Sequence, residues 1–105
     1  MALVKFLVIG EDVVFEEVFE GKNISVLLAD LQDGSAVLKI TNEMEPHSYQ
    51  KKMTVGEFLT FDACNNRFIS IKLSEVAGRR AWFKISADRS IRIRHNRLQA
   101  VSTGN

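Results

Sequence analysis

One stretch occurs twice in this chain, and that repetition limits its possible folds more than any other feature. Ile24 to Thr41 reads ISVLLADLQDGSAVLKIT; forty-five residues later, Ile69 to Ser86 reads ISIKLSEVAGRRAWFKIS. Laid together without a gap, they match at Ile24/Ile69, Ser25/Ser70, Leu28/Leu73, Ala36/Ala81, Lys39/Lys84 and Ile40/Ile85. That is 6 identities in 18 columns, where unrelated segments at average residue usage share about one. Within each copy apolar residues alternate with polar ones, the period of a strand with one buried face. Asp33-Gly34 divides the first copy and Ala77-Gly78 the second. Asp-Gly suits the type I′ turn of a hairpin, whose two central residues need positive φ. The expectation is an all-β fold, a small barrel or sandwich built from two similar hairpin units (24–41 and 69–86) related by a pseudo-twofold.

The rest of the chain extends this plan. Leu3 to Ile9 reads as a strand apolar on both faces, hence central or covered. Asp12 to Glu20 fits a short helix by its spacing and a strand by its β-branched and aromatic content. Ile9-Gly10-Glu11 before it recurs as Val55-Gly56-Glu57 before Phe58 to Phe61, and strand is the reading taken in both places. Thr54 and Glu57 have capping-box spacing, which keeps a helix open as the alternative there. Asn42 to Lys52, with the single proline Pro46, reads as a loop or a twisted edge strand. Asp62 to Arg67 reads as a turn, and Ser90 to Arg94 as a short last strand with Ile91 and Ile93 inward. One β domain over 1–98 is expected, with unit one at 3–48, unit two at 49–98 and a frayed tail at 99–105.

Composition narrows the class. At 105 residues, 46% hydrophobic and 26% charged, the chain has the make-up of a soluble globular domain rather than a disordered segment or coiled coil. The apolar run Ala2 to Ile9 is short and carries Lys5, and fits neither a signal peptide nor a membrane span. A lone cysteine, Cys64, points to a reducing compartment, so a cytoplasmic location is expected. Charge is divided between the halves: residues 1–50 hold 3 Lys/Arg against 9 Asp/Glu, and residues 51–105 hold 11 against 4.

Because side chains alternate across a strand, fixing the inner face fixes the outer one. If Ile69, Ile71, Leu73, Ala81, Phe83, Ile85, Ile91 and Ile93 face the core, then Lys72, Arg80, Trp82, Lys84, Arg92 and Arg94 lie together on one outer surface. Lysine and arginine neutralise phosphates and an exposed aromatic stacks on bases, so this set, with His95, is the candidate nucleic-acid site. A solvated face that keeps an edge from mispairing is the plainer account of the same charges. In unit one the corresponding outer residues Leu27, Ala29 and Val37 are apolar. They are covered by the chain's own Leu3 to Ile9 or Asp12 to Glu20, or else form a protein interface.

No catalytic or metal constellation stands out. His47 and His95 lack HxH, HExxH or CxxC companions, and a His47, Glu45, Glu43 cluster is better read as a solvated loop. An enzyme would have to use a pocket lined by Phe15, Phe58, Phe61 and Phe83 with Glu57 or His95 at its mouth, and core is the commoner role for such phenylalanines. The expectation is therefore no enzyme, no cofactor, no metal and no membrane contact. The chain reads as a non-catalytic interaction module that associates with itself or another protein. RNA or single-stranded nucleic-acid binding through the basic face is the alternative.

Val55-Gly56-Glu57, the strand Phe68 to Leu73, the Ala77-Gly78 turn, the return to Ile85 and Ile91-Arg92-Ile93-Arg94-His95 follow one another in an order that resembles the carbon storage regulator family. The resemblance covers residues 55–98. It implies a small β protein of the kind that forms intertwined dimers and binds GGA-bearing RNA hairpins. The family's basic residue after a V-x-V strand falls at Arg94 or His95. Its paired arginines before V-G-E fall at Met53-Thr54, which are uncharged, with Lys51-Lys52 one step earlier. Family members are also much shorter, and the resemblance implies that two units in one chain mimic the dimer.

Overall fold

A computed structural model describes residues 2–45, 48–63 and 66–97. Nine strands run through them: β1 Ala2–Val8, β2 Asp12–Phe19, β3 Lys22–Gln32, β4 Ser35–Asn42, β5 Ser48–Thr54, β6 Phe58–Ala63, β7 Arg67–Ala77, β8 Arg80–Ala87 and β9 Arg92–Asn96. They form two antiparallel sheets, β1-β8-β7-β6 and β5-β4-β3-β2-β9. The protein is all-β among the described residues. The sheets stay open at their edges and do not close into a barrel.

The core lies between the sheets and is filled by the residues that alternation turned inward. Phe15, Ile24, Leu28, Leu38 and Ile40 come from the five-stranded sheet, and Leu7, Ile69, Leu73, Phe83 and Ile85 from the four-stranded one, each at most 2% exposed. Burying a side chain of this size contributes about 1.5–3 kcal/mol. That term does most to hold the two layers together, since the backbone ladders run within each sheet; the Arg67 guanidinium of β7 adds a bond across, donating to the Val18 carbonyl of β2 at 3.0 Å.

The chain changes sheets three times, after β1, β5 and β8, and the first two corners share one construction. At the first corner the Gly10 N–H donates to the Leu28 carbonyl at 2.9 Å and the Leu28 N–H to the Glu11 carbonyl at 3.0 Å. At the second, the Gly56 N–H donates to the Leu73 carbonyl at 2.8 Å and the Leu73 N–H to the Glu57 carbonyl at 3.1 Å. Gly10 and Gly56 both have φ of 97°, a region closed to residues with a Cβ except at a cost. Just past each anchoring leucine the ladder slips by one residue, between Leu28 and Asp30 and between Leu73 and Glu75. Each such bulge adds local twist. The result is an exchange of strands. β1 leaves its sequence neighbours to pair with β8, and β5 pairs with β4 while β6 continues beside β7.

Asp12–Phe19 is a strand, as its β-branched content implies. It carries a register shift between Phe15 and Phe19 where Glu17 takes φ of 55°. Asp33 and Gly34 both have positive φ, 32° and 82°, as a type I′ turn requires. The second hairpin turns at Gly78-Arg79, one residue later than the sequence suggested. The Thr54/Glu57 spacing serves a tight turn instead of a helix: the Glu57 carboxylate accepts from the Thr54 backbone N–H at 2.6 Å and its hydroxyl at 2.9 Å. Two placements differ from expectation. β1 is an edge strand, not a central or covered one, and Val4 on it is 63% exposed. β9 leaves its own unit and joins the other sheet beside β2. Local periodicity marks a strand but does not choose its neighbour. Pro46, His47, Cys64, Asn65 and the expected tail at 99–105 lie outside the described residues.

Candidate nucleic-acid interface

Strand register arranges the outer face of the four-stranded sheet in rows. Phe58, Lys72, Lys84 and Val4 form one row across β6, β7, β8 and β1. Glu75, Trp82 and Phe6 form a second, and Ala77, Arg80 and Val8 a third. Lys84, Arg80, Phe58 and Val4 are exposed, while Lys72, Trp82 and Phe6 are half-buried among their neighbours. The rings of Phe6 and Trp82 meet at 5.1 Å between centroids, tilted by 48°. Such pairs contribute about 0.5–1.5 kcal/mol beyond area burial. The guanidiniums of Arg80 and Arg97 lie 4.6 Å and 4.9 Å from the Phe6 centroid, and the Lys72 ammonium is 5.6 Å from that of Phe58. Exposed contacts of this kind contribute about 0.5–1 kcal/mol each. They fix long cationic side chains against flat rings, which lowers the entropy lost when those cations meet a ligand.

Four of the seven expected nucleic-acid residues, Lys72, Arg80, Trp82 and Lys84, thus share the outer face of the four-stranded sheet. The other three do not join them. β9 pairs with β2, so Arg92 and Arg94 lie on the outer face of the five-stranded sheet, with Arg92 opposite Glu16 and Arg94 opposite Val14. Arg94 forms an ion pair with Glu16 at 3.1 Å. His95 turns inward, opposite Val13. Its side chain is 6% exposed, with Nε2 at 3.7 Å from the Glu11 carboxylate. Burial holds His95 below its usual pKa, Arg97 and Lys5 lower it further, and Glu11 opposes them. The imidazole is therefore neutral near pH 7.

Leu27, Ala29 and Val37 lie on the opposite surface of the molecule. Neither β1 nor β2 covers them, because β1 belongs to the other sheet and β2 lies beside β3, not over it. All three are half-buried, and their rows are broken by charge: Leu27 sits between Asp12 and Lys39, and Val37 between Asp30 and Lys52. The phenylalanines of the considered pocket separate as well. Phe15 and Phe83 are core, Phe61 packs half-buried against it, and Phe58 is 59% exposed on the outer face.

Sequence reasoning left Val4, Phe6 and Arg97 out of this face and gave Phe58 to a pocket instead. The first two were assigned to a covered strand, and only the β1·β8 pairing brings Phe6 next to Trp82. Among the described residues no group of three or more His, Cys, Asp or Glu is placed to hold a metal ion, and no helix is long and apolar enough to cross a membrane. Comparisons with protein-family models, with curated proteins and with solved structures return no match to this chain.

Proposed function

We propose that this chain is an internally duplicated, non-catalytic β module that binds single-stranded RNA on the outer face of its four-stranded sheet. The observation that carries the reading is the Phe6–Trp82 pair with Arg80 and Arg97 against it and the Lys72–Lys84 row alongside. Bases stack on aromatic rings and guanidinium planes, and phosphates run along the cations. An antiparallel sheet face suits this work because its side chains project at fixed spacing from a stiff base.

Two further observations support it. The matching corners, bulges and anchoring leucines at the spacing of the sequence repeat favour a duplication. The exchange of first strands, β1 onto β8 and β5 onto β4, favours the single-chain counterpart of an intertwined dimer. That is the architecture implied by the resemblance to the carbon storage regulator family, whose members bind RNA.

An anisotropy titration of a mixed-sequence single-stranded RNA tests the proposal. Binding should weaken steeply with salt, by about −0.7 in log K per log salt for each phosphate neutralised. Trp82 fluorescence should be quenched in step. Absence of binding at low salt, or binding with Trp82 unperturbed, rejects this face as the site.

A further inference from the structure

The two sheets are built alike except at one edge. In the five-stranded sheet β9 lies against β2, whereas β6, which occupies the corresponding place in the other sheet, pairs with β7 alone among the described residues. One side of the β6 backbone therefore offers its N–H and C=O groups to solvent or to another strand.

The remaining edges carry devices that discourage pairing. β1 turns Lys5 toward the inner side, opposite Phe83, and β5 turns Lys51 inward, opposite Leu38. An inward-pointing charge would be buried by a new neighbour, so it protects the edge that bears it. β9 is five residues long and carries Arg92 and Arg94. β6 reads FLTFDA: it has no lysine, arginine or proline, and its inward residues are Leu59, Phe61 and Ala63.

We infer that β6 is a docking edge for a second copy of this chain, which pairs with it antiparallel through its own β6. The occupant follows from self-complementarity. With Thr60 opposite Thr60 on the twofold axis, Leu59 faces Phe61 of the second copy on the inner side, continuing the core across the edge. On the outer side Asp62 of the second copy comes beside Phe58, whose ring already carries the Lys72 ammonium. The charges are thus complementary across the axis, twice by symmetry. The exposed rings of Phe58 and Phe68, 59% and 56% accessible, gain neighbours. The two four-stranded sheets become one continuous sheet. A six-residue edge buries less than a standard interface, so the dimer is weak and concentration-dependent.

The experiment is sedimentation equilibrium over a wide concentration range without nucleic acid, which separates this inference from the RNA reading. Wild type should pass from monomer to dimer, and Thr60→Lys, which places like charges opposite each other on the axis, should stay monomeric with an unchanged circular-dichroism spectrum. A second readout fixes the register. In a Cys64→Ser background, Thr60→Cys should oxidise to a disulfide-linked dimer, because opposed residues of an antiparallel pair have Cα atoms about 4.5–5.5 Å apart. Ser48→Cys on the β5 edge should not. A monomeric wild type at every concentration overturns the inference, as does a dimer that Thr60→Lys leaves intact or one that Ser48→Cys links as readily as Thr60→Cys. An association that forms only with a different protein overturns the second copy as occupant.

Discussion

The outer faces of the two sheets stand on equivalent ladders and carry different chemistry. Where the four-stranded sheet has the row Phe58, Lys72, Lys84, Val4, the five-stranded sheet has Asp12, Leu27, Lys39, Gln50. Where the first has Glu75, Trp82, Phe6, the second has Asp30, Val37, Lys52. Inside, the same positions stay apolar: Leu28 and Leu38 on one side, Leu73 and Phe83 on the other, all at most 2% exposed. The core restricts residue type at each inner position because a lost methylene is felt at packing density near that of a crystal. The outer positions carry no such restriction, so they are where one face can acquire aromatics and cations while the other stays mixed and polar.

The largest expected effect breaks that comparison directly. Arg80→Glu with Lys84→Glu should abolish RNA binding without unfolding the domain, whereas Lys39→Glu with Lys52→Glu on the opposite face should weaken it only through net charge. Anisotropy at two salt concentrations decides; equal losses from the two pairs would mean that the molecule's overall field, not one face, holds the ligand. Trp82→Ala asks the same of the aromatic part and should cost about 1–3 kcal/mol of affinity, the worth of one stacked base.

The second comparison lies inside. Leu28 and Leu73 are each 0% exposed and each accept and donate one corner hydrogen bond through their backbone. Leu28→Ala and Leu73→Ala should each cost about 2–5 kcal/mol in urea unfolding, by equivalent amounts if the two corners bear load alike. A cost at one corner alone would mean that only that exchange of strands holds the sheets in register.

These comparisons also mark what the sequence could reveal. The strand content and the inward set, Ile69, Ile71, Leu73, Ala81, Phe83 and Ile85, follow from period-2 alternation, and the structure buries all six. The shared outer face of Lys72, Arg80, Trp82 and Lys84 follows from the same pleat. What alternation leaves out is pairing. Nothing local in Leu3 to Ile9 says that it lies beside β8, and nothing in Ser90 to Arg94 says that its strand crosses to β2. Phe6 therefore went unnoticed as Trp82's neighbour, and Arg92, Arg94 and His95 were grouped with a surface they do not share. Strand exchange between sheets is a long-range choice, and hydrogen bonding between backbones is nearly indifferent to the residues that make it.

Gly56 sharpens the reading of the corners by a smaller amount. A methyl group there would meet nothing within 4 Å, so only its φ of 97° opposes a side chain. Gly56→Ala should then destabilise by about 1–2 kcal/mol, the cost of a left-handed residue with a Cβ. A neutral result would show that the corner relaxes around the substitution.

The smallest effect compares two glutamates. Glu57 at the second corner is exposed and bonded to Thr54, and among the described residues no second strand flanks β6 as β9 flanks β2. Glu11 at the first corner is 5% exposed; its carboxylate accepts from the Val8 N–H at 3.0 Å and lies beside His95 of β9. Burial lowers the folded pKa of His95, with Arg97 and then Lys5 adding to the shift and Glu11 resisting it. The unfolded chain, with His95 near about 6.5, then binds a proton more readily than the folded one. Stability from the neutral imidazole is accordingly full above that value and declines as the pH falls below it toward the depressed folded pKa. Urea midpoints of wild type should fall between pH 7 and pH 5, and His95→Gln should flatten that part of the profile. The Glu57 contribution lies lower: hydrogen bonds from Thr54 lower its pKa, so it is lost only as the pH drops through the carboxylate range. If His95→Gln leaves the slope between pH 7 and pH 5 unchanged, the surroundings of His95 are wetter than its 6% side-chain exposure implies, and the loss belongs to another group.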